Sequence, residues 1–124
     1  MNVVDSCGWL EYLADGRNAD FFGPPILKVR ELLVPTASLY EVFKRVMQRR
    51  GQSQALQAVA LMQQGQVVEL DATLALEAAK LSLDEGLPMA DSLMLATARA
   101  HRAVLWTQDA DFARIEGVRY VQAP

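Results

Sequence analysis

The sequence holds a single cysteine, Cys7, and a single histidine, His101. One thiol closes no internal disulfide, and neither residue has the company that a zinc site needs. Cys7 therefore reads as a small buried hydrophobe beside the first strand. His101 falls late in a helical pattern and reads as a surface residue. No apolar run approaches the roughly 20 residues of a membrane-spanning helix. The opening MNVVDSCGWLEYL lacks the basic start and small-residue cleavage site of a signal peptide, so the expected location is cytoplasmic. Aromatic residues make up 7% of the chain and supply no stacking platform of the kind that marks RNA-recognition domains. A basic excess is also missing: the net charge of −3 argues against sequence-independent duplex binding through overall charge.

What is present fits one compact domain spanning residues 1–124, with 52% hydrophobic and 22% charged residues. Five short apolar runs read as strands: Asn2–Val4, Leu32–Pro35, Val67–Leu70, Ala103–Trp106 and Val118–Val121. Helical periodicity appears over Ser6–Ala14, Ser38–Arg49, Ser53–Gln63, Thr73–Asp84 and Ala90–His101. Gly23-Pro24-Pro25 argues against a regular element between Asp20 and Lys28. Strands alternating with helices predict an α/β fold, a three-layer α/β/α domain around a mostly parallel sheet of about five strands. Ligands of such sheets bind outside the carboxyl ends of the strands.

Acidic residues collect at those ends. Asp5 follows the first strand. Glu41 lies one turn into the helix after the second. Asp91 opens the helix that leads into the fourth, and Asp109 and Asp111 follow that strand in TQDADF. Each has a structural alternative. Asp5 can cap a helix. Ser38-Leu39-Tyr40-Glu41 matches a capping box. Asp91 suits a helix dipole, and Asp109 and Asp111 can cap a short helix. Asp71, just before Thr73, is read as a cap alone. Together, however, carboxylates crowded at one sheet edge repel, and no Lys or Arg is adjacent to relieve them. A hard divalent cation with oxygen ligands, Mg²⁺ or Mn²⁺, would do so. Such an ion suits phosphodiester hydrolysis. Ser6 and Thr107 can orient a carboxylate or a water through their hydroxyls. Half of the twelve Lys and Arg residues lie between positions 28 and 50, so Arg45, Arg49 and Arg50, with Arg102, are candidates to meet phosphates.

The order of these motifs resembles the PIN-domain ribonucleases, and among them the VapC-type toxins of bacterial toxin–antitoxin pairs. The resemblance rests on VVDSCGWLEYL, PTASLYEVFKR and LPMADSLMLATARAHRAVLWTQDADF. It implies that Asp5, Glu41 and Asp91 are the core metal-binding acids, that Asp109 completes or supports the site, and that Ser6, Thr107 and Asp111 are auxiliary. It further implies an RNA substrate, a homodimer, and a cognate VapB-type antitoxin that threads a segment into a groove near the site. Val46, Met47, Phe43, Leu56 and Met62 are read mostly as core, with some share in that groove. A receiver-like phosphoacceptor module also gathers acids at strand ends. It needs a late lysine, and the last one here is Lys80. An RNA-processing nuclease without an antitoxin, or a weakly active metal- or RNA-binding scaffold, uses the same acids.

Overall fold

The computed structural model describes all residues, 1–124. The strands are β1 (Asn2–Val4), β2 (Leu32–Pro35), β3 (Gln66–Val68), β4 (Val104–Thr107) and β5 (Val118–Tyr120). The helices are α1 (Ser6–Leu13), α2 (Ala19–Leu27), α3 (Thr36–Arg50), α4 (Gln52–Met62), α5 (Ala72–Glu85) and α6 (Met89–Ala100). All neighbouring strands run parallel, in the order β3-β2-β1-β4-β5. Central β1 pairs Asn2 with Leu32 on one side and with Val104 on the other. The chain winds outward from β1 through β2 and β3. It then returns to the other side of β1 for β4 and β5. The β1–β4 boundary is therefore a switch point of the sheet.

Two-residue alternation along the strands divides the core. Val4, Leu32 and Val34 face a cluster with Trp9, Phe22, Ile26, Val42 and Met62, which α1–α4 supply. Val3, Leu33 and Leu105 face the opposite cluster, with Leu87, Met94, Leu95, Ala98 and Phe112. Helix α5 packs behind α6 through Leu74, Ala78 and Ala96. The three-layer α/β/α architecture expected from the alternation of elements is thus present. Its α5 ends at Gly86, whose φ of 67° is the left-handed geometry that a helix C-terminus commonly needs.

Helix α2 is the departure from the sequence reading. It contains Pro24 and Pro25, yet the helix persists through them. Ala19, Phe22 and Ile26 recur at helical spacing on its inner face, with exposures of 8%, 0% and 2%. Burying that face outweighs the backbone hydrogen bonds that the two prolines forgo. Strand β4 also extends one residue further than expected, so Thr107 closes the strand, fully buried, instead of following it.

Candidate metal centre

Asp5 is the first residue beyond β1 and the N-cap of α1. The residue is 3% exposed, and donors hold both carboxylate oxygens. The Ser6 amide donates to Oδ1 at 2.8 Å. The Thr107 hydroxyl donates to Oδ2 at 2.8 Å and the Cys7 thiol to the same oxygen at 3.4 Å. Capping and site-building are thus one arrangement: the turn that starts α1 also aims a carboxylate across the gap between β1 and β4.

Thr107 links Asp5 to the next acid. Its Oγ1 accepts from the Asp109 amide at 3.0 Å, which fixes the backbone where β4 ends. Asp109 Oδ1 in turn accepts from the Asp111 amide at 2.9 Å and caps a short 3₁₀ turn over Ala110–Phe112. Asp91 enters from the first turn of α6. One carboxylate oxygen from each of Asp5, Asp91 and Asp109 lies within 4.8 Å of the others.

Glu41 stands outside that trio but is tied to it. Its Oε1 accepts from the Ser6 hydroxyl at 2.7 Å, and its charge acts on both Asp5 and Asp91. The expected capping box does not form. Helix α3 begins two residues earlier, at Thr36, and the Ser38 hydroxyl donates to the Pro35 carbonyl at 2.7 Å. Glu41 is therefore free to face Ser6. Asp71, by contrast, caps α5 as expected, accepting from the Leu74 amide at 2.9 Å.

The electrostatics of the trio carry its chemistry. Burial pushes the Asp91 carboxyl up to about 7, and the charges of Asp5, Asp109, Asp111 and Glu41 push the same way. Asp5 is also raised, first by burial, against hydrogen bonds from Thr107, Cys7 and Ser6 that oppose it. The largest contributions on Asp91 all disfavour its anion, and no cationic side chain is among them. An all-oxygen donor set with unrelieved repulsion fits a hard divalent cation, held by Asp5, Asp91 and Asp109.

Cys7 was not singled out by sequence as part of this region. It is half-buried instead of fully buried, and its Sγ also lies 3.5 Å from Thr107 Oγ1. Burial and the Asp5 charge push its thiol up to about 12, so it stays a neutral donor to Asp5. Its place immediately after Asp5-Ser6 was the only available signal.

The arginines divide. Arg45 is exposed, one turn beyond Glu41 on α3. Arg49 and Arg50 line a cavity of about 300 Å³ with Leu10, Leu13, Val46 and Leu61, between α1 and the α3–α4 hairpin. Arg102 does not join the acids. It follows α6 in a turn with φ of 51°, at the end of the helix away from Asp91 and just before β4 begins. The nine helical steps from Asp91 to the end of α6 at Ala100 already span about 14 Å, and Arg102 lies beyond them, so a shared helix face does not bring the two together. Of the hairpin residues, Met62 is core, Val46 lines the cavity, and Met47 and Leu56 are exposed.

Among families of known proteins, the PIN domain matches residues 3–118 of this chain. None of the curated proteins matches it. Several solved structures share the fold. A toxin–antitoxin complex from Klebsiella pneumoniae is 20% identical, with a TM-score of 0.79 and 96% of each chain covered. Mycobacterium tuberculosis VapC20, a toxin that cleaves the sarcin–ricin loop, is 17% identical with a TM-score of 0.79, covering 95% of this chain and 97% of the other. VapBC2 from Rickettsia felis, bound to a DNA fragment from its promoter, is 14% identical with a TM-score of 0.72, covering 98% of this chain and 97% of the other.

Proposed function

The chain belongs to the PIN domain family, and from that premise we propose that it is a Mg²⁺- or Mn²⁺-dependent endoribonuclease, the toxin of a VapBC-type pair. The observation that carries the reading is the trio Asp5, Asp91 and Asp109, with oxygens within 4.8 Å and no cation among the largest influences on Asp91. A divalent ion bound there supplies positive charge against a phosphodiester and acidifies water for attack.

The chain's own residues set the conditions. The Ser6 amide, Thr107 and Cys7 lock Asp5 in one orientation, so it needs no reorganisation to receive an ion. Thr107 ties Asp109 to the same frame. Ser6 holds Glu41 at the rim, where it acts as a fourth acid that orients water or completes the ligand set. Asp111 supports Asp109 through its amide. Arg45, free on the surface beside Glu41, is placed to meet a substrate phosphate.

Arg49 and Arg50 take a different role in this reading. Their cavity has an apolar floor and a basic rim, which suits a segment of the cognate antitoxin carrying apolar side chains and an acid. The homodimer and a cytoplasmic location belong to the same reading. No helix is long and apolar enough to cross a membrane.

Wild-type and Asp5→Asn proteins, freed of antitoxin, are incubated with total RNA in Mg²⁺, Mn²⁺ or EDTA. The expected outcome is discrete cleavage that needs both the metal and Asp5. Undamaged RNA with folded wild-type protein in both metals sinks the nuclease reading.

A further inference from the structure

Tyr40 is the one aromatic side chain that stands exposed on this protein, at 66%. The other tyrosines, the phenylalanines and the tryptophans are buried or half-buried. A tyrosine in water is ordinary by itself. This one immediately precedes Glu41, whose carboxylate is tied to the metal centre through the Ser6 hydroxyl. Its ring also has a cation beside it: the Lys44 ammonium lies 5.7 Å from the ring centroid, within cation–π range.

The helix sets these groups in order. At about 100° of turn per residue, Lys44 lies about 60° from Glu41 on one side of α3, and Arg45 lies about 40° from it on the other. Tyr40 lies about 40° beyond Lys44, on the side away from the buried Ser38 and Val42. Glu41 is the only acid on α3, and the helix carries four cations, Lys44, Arg45, Arg49 and Arg50. The neighbours of Tyr40 and Lys44 on their flank, Ala37, Met47 and Gln48, are uncharged.

We propose that Tyr40 and Lys44 form a nucleotide subsite beside the metal centre, in which the phenol ring stacks one unpaired base and the ammonium meets a phosphate of the same strand. The inference rests on the RNA substrate of the reading above and names the form of RNA that the centre takes, a single-stranded or looped segment. A base inside a duplex has both faces covered by its neighbours and cannot reach a ring, whereas an unstacked base can. Every base has a π-face, so one ring selects the unpaired state and not the sequence. Lys44 covers one side of the ring and leaves the other for the base. Its charge sits on a flexible stem, so it can meet a phosphate without leaving Tyr40. Charge favours the same path. The carboxylates of the centre repel a polyanion, and Lys44 and Arg45, on either side of Glu41, draw the strand across that acid.

Fluorescence anisotropy tests the subsite with three labelled probes: a mixed-sequence RNA strand, its duplex, and the same strand with abasic nucleotides. The parent protein is Asp5→Asn in Mg²⁺, which keeps the strand uncut. Adding Tyr40→Ala should weaken strand binding roughly 5- to 100-fold, the loss of one stacked base, and leave the duplex unchanged. Tyr40→Phe should bind like the parent, since stacking needs the ring and not the hydroxyl. On the abasic strand, Tyr40→Ala should cost nothing. Lys44→Gln should weaken strand and duplex alike and lower the log–log salt slope for the strand by about 0.7. Both side chains are exposed, so circular dichroism should match the parent throughout. Strand binding that survives Tyr40→Ala overturns the subsite and leaves the nuclease reading standing. An equal loss on strand, duplex and abasic strand overturns base stacking. A parent that binds none of the probes, with wild type cutting no RNA, overturns the subsite and the nuclease reading together.

Discussion

Asp91 holds its proton to about pH 7 because burial and four neighbouring acids disfavour its anion. In the unfolded chain the same group titrates near 3.9. Between about pH 4 and 7 the folded protein therefore carries a proton that the unfolded chain has released. The resulting stabilisation is fully present below about pH 4 and is lost as pH rises through about 7. Thermal melts in EDTA should show wild type losing stability against Asp91→Asn, a neutral mimic, over that window. Mg²⁺ should abolish the relative loss, because a bound ion keeps the carboxylate charged. A wild-type-to-variant gap that is the same at pH 5 and pH 8 in EDTA counts against the assignment. At this scale the acids themselves were legible, since each stands beside a strand end or helix start. Their tethers were not. Ser6 to Glu41 and Asp5 to Thr107 join residues 35 and 102 positions apart, and only the closed sheet sets those distances.

Helix α2 shows what local sequence signals cannot rank. Gly23-Pro24-Pro25 reads as a break, because proline removes a donor and crowds the preceding turn. The competing signal, Ala19-Phe22-Ile26 on one face, gains its weight only from the pocket that receives it. Part of that pocket is Gly8 of α1. A Cβ at Gly8 would lie 2.5 Å from Phe22 Cε1 and 2.9 Å from Val4 Cγ1. Gly8→Ala should therefore cost about 1–3 kcal/mol through overpacking, despite the better helix propensity of alanine. Phe22→Ala should cost about 3–5 kcal/mol by opening a cavity. Because both changes act on one contact, Gly8→Ala should cost measurably less in a Phe22→Leu background. Urea denaturation of the single and double variants reads this directly, and strictly additive losses would mean that the Gly8–Phe22 contact does not govern how α1 meets α2. The other helices, whose periodicity no proline interrupts, were legible to within one or two residues at their ends.

Across the whole molecule, alternation of elements made the α/β class legible, but not the strand order that places the switch point between β1 and β4. That order decides the consequences of ion binding. Asp5 belongs to the end of β1, Asp109 to the end of β4, and Asp91 to the helix that feeds β4. Residues 86 positions apart in sequence, Asp5 and Asp91, thus come within reach of one ion only while the sheet is closed across its centre. Unfolding either side of β1 destroys the site, so an ion that binds the native state alone stabilises the entire domain and not one loop. The expected gain is about 2.7 kcal/mol at a free Mg²⁺ concentration one hundred times its Kd. Asp5→Asn should remove most of the gain, because the variant loses a ligand and keeps the ring of Ser6, Cys7 and Thr107 that aimed it. Titrating Mg²⁺ while following urea unfolding by circular dichroism and by tryptophan fluorescence distinguishes the cases. Trp9 and Trp106 report the face of the sheet covered by α1 and α2. Circular dichroism also reports α5 and α6 on the other face. Both midpoints should rise together with added ion. A rise in one signal alone would mean that the two faces unfold separately and that the acids do not couple them.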